Sequence, residues 1–165
     1  MAGETFSHLD AAGRARMVDV SDKPVTRRVA EASCRVRLSS ETAARLQALP
    51  KGDAIAVARL AGIQAAKRTA ELVPLAQPRP LELVEVEVAP DAGGVAIRSR
   101  VVVAARTGAE LEALTACAGA ALALYDMVKA VERGAAITDL RLDAKSGGRS
   151  GDWRRGEEAD SLEPR

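Results

Sequence analysis

Aromatic residues are almost missing from this sequence: Phe6, Tyr125 and Trp153 are the only three among 165 residues. A core without rings must be built from Val, Leu, Ile and Ala, and binding of single strands by base stacking lacks its platforms. Histidine occurs once, at His8, so no histidine-based metal spacing exists. The two cysteines, Cys34 and Cys117, sit in apolar patterns and read as buried thiols of a reduced compartment, not as a disulfide framework. Neither sign of charge is in excess. The formal net charge is +1, which gives no field to draw in nucleic acid or an anionic membrane. The opening MAGETFSHLD has neither the basic flank nor the apolar stretch of a secretory signal. The longest clean apolar run, Ala116 to Leu124, is too short to cross a bilayer. These absences lead to the expectation of a cytoplasmic protein with no nucleic-acid, membrane or metal partner.

What is present is ordinary globular composition, 47% hydrophobic and 28% charged, at a length suited to one domain. Residues 1–27 are polar and aperiodic and read as an N-terminal arm. From Arg28 the pattern alternates, with Ala30, Ala32, Cys34, Val36 and Leu38 on one side, which predicts a half-buried strand. Ser39 or Ser40 is placed to cap a short helix through Leu49, ended by Pro50. Asp53 is a good N-cap for a second helix reaching about Leu72. Its apolar residues fall nearly all round, so burial on more than one face is expected. After the proline-punctuated loop PLAQPRP (74–80), Val84, Val86 and Val88 alternate with Glu85 and Glu87. Pro90 to Gly94 supplies a turn, and Val95 to Val103 completes a hairpin. Arg106 to Gly134 reads as one long helix with Gly134 as its C-cap, and its Ala and Gly residues leave a surface that another backbone can approach closely. Ile137, Leu140 and Leu142 suggest a last strand, and residues 154–165 a flexible tail. The order strand, helices, strand, strand, helix, strand predicts an α+β fold over 28–153. It is the ferredoxin-like split βαβ arrangement, an antiparallel sheet with helices on one face. The other face would be solvated by Arg35, Arg37, Glu85 and Glu87, or covered by a second subunit.

Several charged residues stand out. Asp126 and Lys129 share one helical face near the small residues. They are either a surface ion pair of little energetic weight or a functional pair. Lys51 precedes a helix start and is either solvated or a phosphate ligand. Lys67 and Arg68 close the apolar helix and either complement its dipole or bind an anion. Lys145 opens KSGGRSG, which has the flexible backbone and cations of an anion nest without the phosphate-loop pattern. Glu110 and Glu112 lie at a helix start, where the dipole favours acids in any case. Together, several cations, three acids and little aromatic surface point to a small polyanionic substrate handled by proton transfer.

The stretches MVDVSDKPVTRR (17–28), LPKGDAIAVARLAGIQAAKRT (49–69), RTGAELEALTA (106–116), LYDMVKAV (124–131) and KSGGRSGDW (145–153) closely resemble the cyclic pyranopterin monophosphate synthases, the molybdenum cofactor biosynthesis protein C family. The similarity runs from about His8 to Trp153 in one register. It implies a ferredoxin-like subunit in a homohexamer, a trimer of dimers, with active sites at subunit interfaces and no redox cofactor. It implies a lyase that rearranges a cyclised GTP-derived nucleotide to cyclic pyranopterin monophosphate with loss of pyrophosphate. By motif, Asp126, Lys129 and Lys51 fall on catalytic positions. Leu111 and Glu112 fall on a substrate-contacting pair with Glu110 beside them, and Lys67, Arg68 and Lys145 are candidates for the phosphates.

One loop departs from the family pattern. The family reads PLCHPL where this chain has Pro74, Leu75, Ala76, Gln77, Pro78 and Arg79, so Gln77 stands at a substrate-contacting histidine and Ala76 at a cysteine. Glutamine donates and accepts hydrogen bonds but does not titrate. The chain is therefore expected to be the ordinary synthase, a diverged paralogue acting on a related cyclised nucleotide, or a non-catalytic nucleotide-binding subunit. The retained Lys51, Glu112, Asp126 and Lys129 weigh against the last.

Overall fold

The computed structural model describes residues 12–157. The arm expected over 1–27 and the tail over 154–165 therefore lie partly outside the described residues, and Phe6 and His8 wholly so. The elements run β1 (Thr26–Arg37), α1 (Ser40–Ala44), α2 (Ala54–Lys67), α3 (Thr69–Leu72), β2 (Leu83–Asp91), β3 (Gly94–Ala105), α4 (Glu110–Val128), β4 (Ala136–Ser146) and β5 (Trp153–Arg154). The five strands form one antiparallel sheet in the order β2-β3-β1-β4-β5, with β1 in the middle. Helices pack on one face, and the fold is a mixed α+β arrangement.

Alternation in the sequence sets which face is which. Ala30, Ala32, Cys34 and Val36 of β1, with Val95, Ile97, Val101 and Val103 of β3, point into the core beneath the helices. The residues between them, Glu31, Arg35, Arg98 and Arg100 among them, line the opposite face. There Arg100 of β3 stands between Glu31 and Glu85, its register partners on both sides, at 3.7 and 3.1 Å. Cross-strand pairs of opposite charge solvate this face.

The helix layer is built on a close contact between α2 and α4. The buried residues of α2 are Ala54, Ala58, Gly62 and Ala66, one row four apart along the helix. A Cβ on Gly62 would lie 2.9 Å from the Ala116 carbonyl oxygen, and a Cβ on Gly119 would collide with the Cβ of Ala65. The small-residue surface of the long helix is thus used within the chain, by α2. Burial does not extend all round α2: Leu60 is 67% and Val57 41% exposed. The row of Ala and Gly meets α4, with Val86 of β2 beside Gly62, and Ile55 and Ile63 pack partly against the core, which leaves Val57 and Leu60 facing outward.

Asp53 caps α2 as expected, accepting from the backbone N–H of Ile55 and Ala56 at 2.9 and 3.0 Å. Other boundaries move. The helix expected to reach Leu72 breaks at Arg68, whose N–H bonds to the carbonyls of Ala65 and Ala66, and α3 follows separately. The first helix stops at Ala44 and continues as turns to Pro50. The long helix starts at Glu110, four residues late, because residues 106–109 bring the chain round from β3. It ends at Val128 with Lys129 as C-cap, and Gly134 takes no left-handed φ and does not cap it. At 19 residues, with a mean hydropathy of 1.4 over its most apolar window, α4 is long and apolar enough to cross a membrane. Half of that window is buried in the core.

The α2–α4 contact makes a direct expectation. Gly119→Ala gains helix propensity of about 0.8–1 kcal/mol but inserts a methyl into a closed contact, which costs about 1–3 kcal/mol. Its urea midpoint should fall, whereas Gly134→Ala, at a position with open space around it, should leave the midpoint nearly unchanged. An equal or higher midpoint for Gly119→Ala would mean that the helices do not meet there.

Candidate active site

Lys51, Asp126 and Lys129 are brought together from two segments. Lys51 lies just ahead of the α2 N-cap and reaches the end of α4. Its Nζ donates to the Asp126 carboxylate at 3.0 Å and to the Asp126 carbonyl oxygen at 2.9 Å. Lys129, one turn further along α4, places Nζ 2.7 Å from the other carboxylate oxygen. The Asp126 carboxyl is held below its ordinary range by hydrogen bonds first from Lys129 and then from Lys51, and the Lys129 ammonium is raised by Asp126. All three side chains are roughly half exposed. Pairs in such surroundings contribute about 0–1 kcal/mol to stability. These shifts hold Asp126 as a charged acceptor and Lys129 as a charged donor, and two ammonium groups open to solvent can meet an anion.

A second cluster surrounds the start of α4. Gly62 of α2 meets Ala116 and Ala120 while Lys51, ahead of α2, meets Asp126. The two helices therefore run antiparallel, and the loop 74–80 after α3 arrives at Glu110 and Glu112. Leu75, Ala76, Gln77, Arg79, Glu110 and Leu111 line a cavity of about 270 Å³ together with Met17, Val18, Val20 and Lys23 of the N-terminal segment. The Gln77 carboxamide donates to the Val18 carbonyl at 3.2 Å. Glu112 is buried, not cavity-lining: it is 2% exposed and pairs with Arg79 at 3.1 Å. Burial raises its carboxyl above the usual range, and the Arg79 charge opposes that shift. Lys145 of β4 lies 3.9 Å from Glu110 and donates to Ser150 Oγ at 3.0 Å. Lys67 and Arg68 are exposed at the same end of the helix pair and line neither this cavity nor the next.

A larger cavity of about 520 Å³ adjoins the first, sharing Lys23, Thr107 and Gly108 with it. Lys23, Arg28, Arg106 and Arg149 line it with Gly148 and Ser150, and Asp22 is the one acid among the described residues that line it. Arg28 is fixed by donating to the carbonyls of Ala105 and Arg106 at 2.9 and 3.0 Å. Sequence reasoning passed over Lys23, Arg28 and Arg106. The usable signal was that both arginines sit at strand ends that pair, Thr26 of β1 facing Ala105 of β3.

The two clusters do not meet. About 24 Å of helix separates Glu110 from Asp126 at ~1.5 Å per residue.

A family model described as the MoaC family matches residues 17–148, a span that contains Lys51, Asp126 and Lys129 and, at the other end of α4, Gln77, Arg79, Glu110, Glu112 and Lys145. This chain belongs to the MoaC family. Among its relatives, a cyclic pyranopterin monophosphate synthase of Thermomicrobium roseum is 55% identical over 91% of this chain and 93% of its own length. Those of Parvibaculum lavamentivorans and Streptomyces griseus are 52% and 53% identical, covering 93% and 91% of this chain and 99% and 86% of theirs. MoaC membership over such a length makes the shared core, and not a single motif, the unit of comparison.

The flanking of Asp126 by two lysines sets its titration. A carboxyl whose folded pKa is depressed stays ionised to a lower pH than an ordinary one at ~3.9. Titration of the Asp126 carboxyl carbon by NMR should give a midpoint below that value, moving upward in Lys129→Met. A midpoint that Lys129→Met leaves in place would show that the lysine does not act on it.

Proposed function

We propose that this chain catalyses the reaction named for its relatives. It converts (8S)-3′,8-cyclo-7,8-dihydroguanosine 5′-triphosphate to cyclic pyranopterin monophosphate with release of pyrophosphate, a lyase step of molybdenum cofactor biosynthesis in the cytoplasm. The observation that carries this reading is the meeting of Lys51, Asp126 and Lys129 in a member of the MoaC family. Rearranging a purine-derived ring moves protons on and off nitrogen and oxygen, which a carboxylate between two ammonium groups serves. Closing the cyclic phosphate requires a ribose hydroxyl to attack the α-phosphorus while pyrophosphate leaves, and cations hold the charge that develops on the leaving group. The basic cavity of Lys23, Arg28, Arg106 and Arg149 supports a place for the phosphates. The adjoining cavity of Leu75, Ala76, Gln77, Glu110 and Leu111 supports a place for the ring system, and Lys145 reaches Glu110 of the one and Ser150 of the other. Lys67 and Arg68 stay as further phosphate candidates at that end.

The distance along α4 bears on assembly. A nucleotide does not bridge about 24 Å of helix, so in our reading each site takes the Lys51, Asp126 and Lys129 group from one subunit and the Gln77, Glu110 and Glu112 end from another. That supports the homohexamer, a trimer of dimers. The strand order, with helices after β1 and after β3, supports the finer description of the fold as ferredoxin-like split βαβ. We read 28–153 as the single domain. Residues 1–27 are its arm, whose Met17, Val18, Val20 and Lys23 lie along the cavity, and 154–165 are its tail.

Gln77 favours a second reading, a paralogue acting on a related cyclised nucleotide, because its carboxamide is already engaged with Val18. One experiment separates the two: incubation with the cyclised dihydro-GTP and product analysis for wild type and Gln77→His. The synthase reading expects product from wild type and, with histidine restored, faster turnover that acquires a pH dependence near 6–7. Absence of product from wild type, with no gain in Gln77→His, would refute it and favour the paralogue.

A further inference from the structure

We infer that Arg79 is a positioning residue for the cavity at the start of α4, with Glu112 as its counter-ion. Only the kinetic consequence of this inference rests on the functional reading above. Acceptors from three separate segments converge on one guanidinium. Nε lies 3.1 Å from Glu112 Oε1 and 3.4 Å from the Gln77 carbonyl oxygen, while Nη1 donates to the carbonyls of Thr107, at 3.1 Å, and Gly108. The Arg79 side chain is 10% exposed and that of Glu112 3%. Three carbonyl dipoles and a carboxylate gathered out of water repel one another and are each costly to desolvate, so they share this spot only with a cation among them. A planar fork of donors fits several acceptors at once, which an ammonium on a flexible stem does not.

The consequence is mechanical. The loop 74–80, residues 107–108 and the first turn of α4 form three walls of the 270 Å³ cavity, and Arg79 bonds to all three. Gln77 extends the tie to the N-terminal segment through Val18. Glu112 Oε2 is buried without a hydrogen-bond partner among the described residues, so the Arg79 guanidinium at Oε1 is the counter-charge to this carboxylate. Without the guanidinium, the buried carboxylate loses its counter-charge and the loop loses its anchor on α4.

The test uses Arg79→Met, which keeps length and removes charge, and Arg79→Lys, which keeps charge and removes the fork. Two quantities are read: KM and kcat for the cyclised nucleotide, and backbone amide hydrogen exchange over 74–80 and 107–110. Arg79→Met should raise KM about tenfold or more with a smaller change in kcat, and speed exchange in those two segments while the sheet stays protected. Arg79→Lys should recover stability but not KM. Wild-type KM and wild-type local exchange in a folded Arg79→Met would overturn the inference, as would a loss confined to kcat. Should Arg79→Met fail to fold, Arg79→Lys decides on the same criteria. A wild type that does not convert the nucleotide would refute the functional reading alone, and the exchange data would still decide the role of Arg79.

Discussion

The close approach of α2 to α4 is the constraint on which the rest of this structure depends. Two glycines and a row of alanines allow it, because a Cβ at Gly62 or Gly119 would meet the facing helix. With so little side chain between them, the helices lock in one antiparallel setting. That setting carries Lys51, ahead of α2, to Asp126 at the end of α4, and carries the loop after α3 to Glu110 at its start. The same packing buries Ala116 and Ala120, while the sheet covers Ala113 and Cys117 on the adjacent side of α4. A core with almost no rings reaches native density here by bringing backbones together rather than by filling space with large side chains.

The two ends of α4 treat charge in opposite ways. At its end, Asp126 and the two lysines stay half exposed, where ion pairs add little to folding and remain open to a ligand. At its start, Arg79 and Glu112 are withdrawn from water, where breaking the pair is costly because it strands a buried charge. The first arrangement suits chemistry on a bound anion. The second suits a fixed wall. The cations of the neighbouring cavity are themselves pinned, Arg28 by two carbonyls and Arg106 by the carbonyl of Lys23 at 2.9 Å. Their positions are thus set before any anion arrives, which limits the reorganisation that binding demands.

Much of this was legible in the sequence where a period or a cap is local. The alternation from Ala30 to Val36, the hairpin around Asp91 and Gly94, and the Asp53 cap are all decided by neighbours a few residues apart. The failures share a different cause. The exposure of Leu60, the break at Arg68 and the pairing of Trp153 with Lys145 depend on what lies across the fold. The site divides the same way. Asp126 and Lys129 are visible as a one-turn spacing, but the choice of Lys51 as their partner is tertiary. The pairing of the buried Glu112 carboxylate with Arg79 is likewise tertiary, and no spacing announces it.

In the proposed reading, residues at opposite ends of α4 serve one reaction through different subunits. Mixing two inactive variants tests it most directly, with Asp126→Asn removing the charge at one end and Lys145→Met the cation at the other. Both side chains have solvent access, so folding should be spared. After co-refolding into mixed oligomers, conversion of the cyclised nucleotide should reappear, because some interfaces then join an intact Asp126 to an intact Lys145. Mixed oligomers that form but stay as inactive as either parent would contradict the claim.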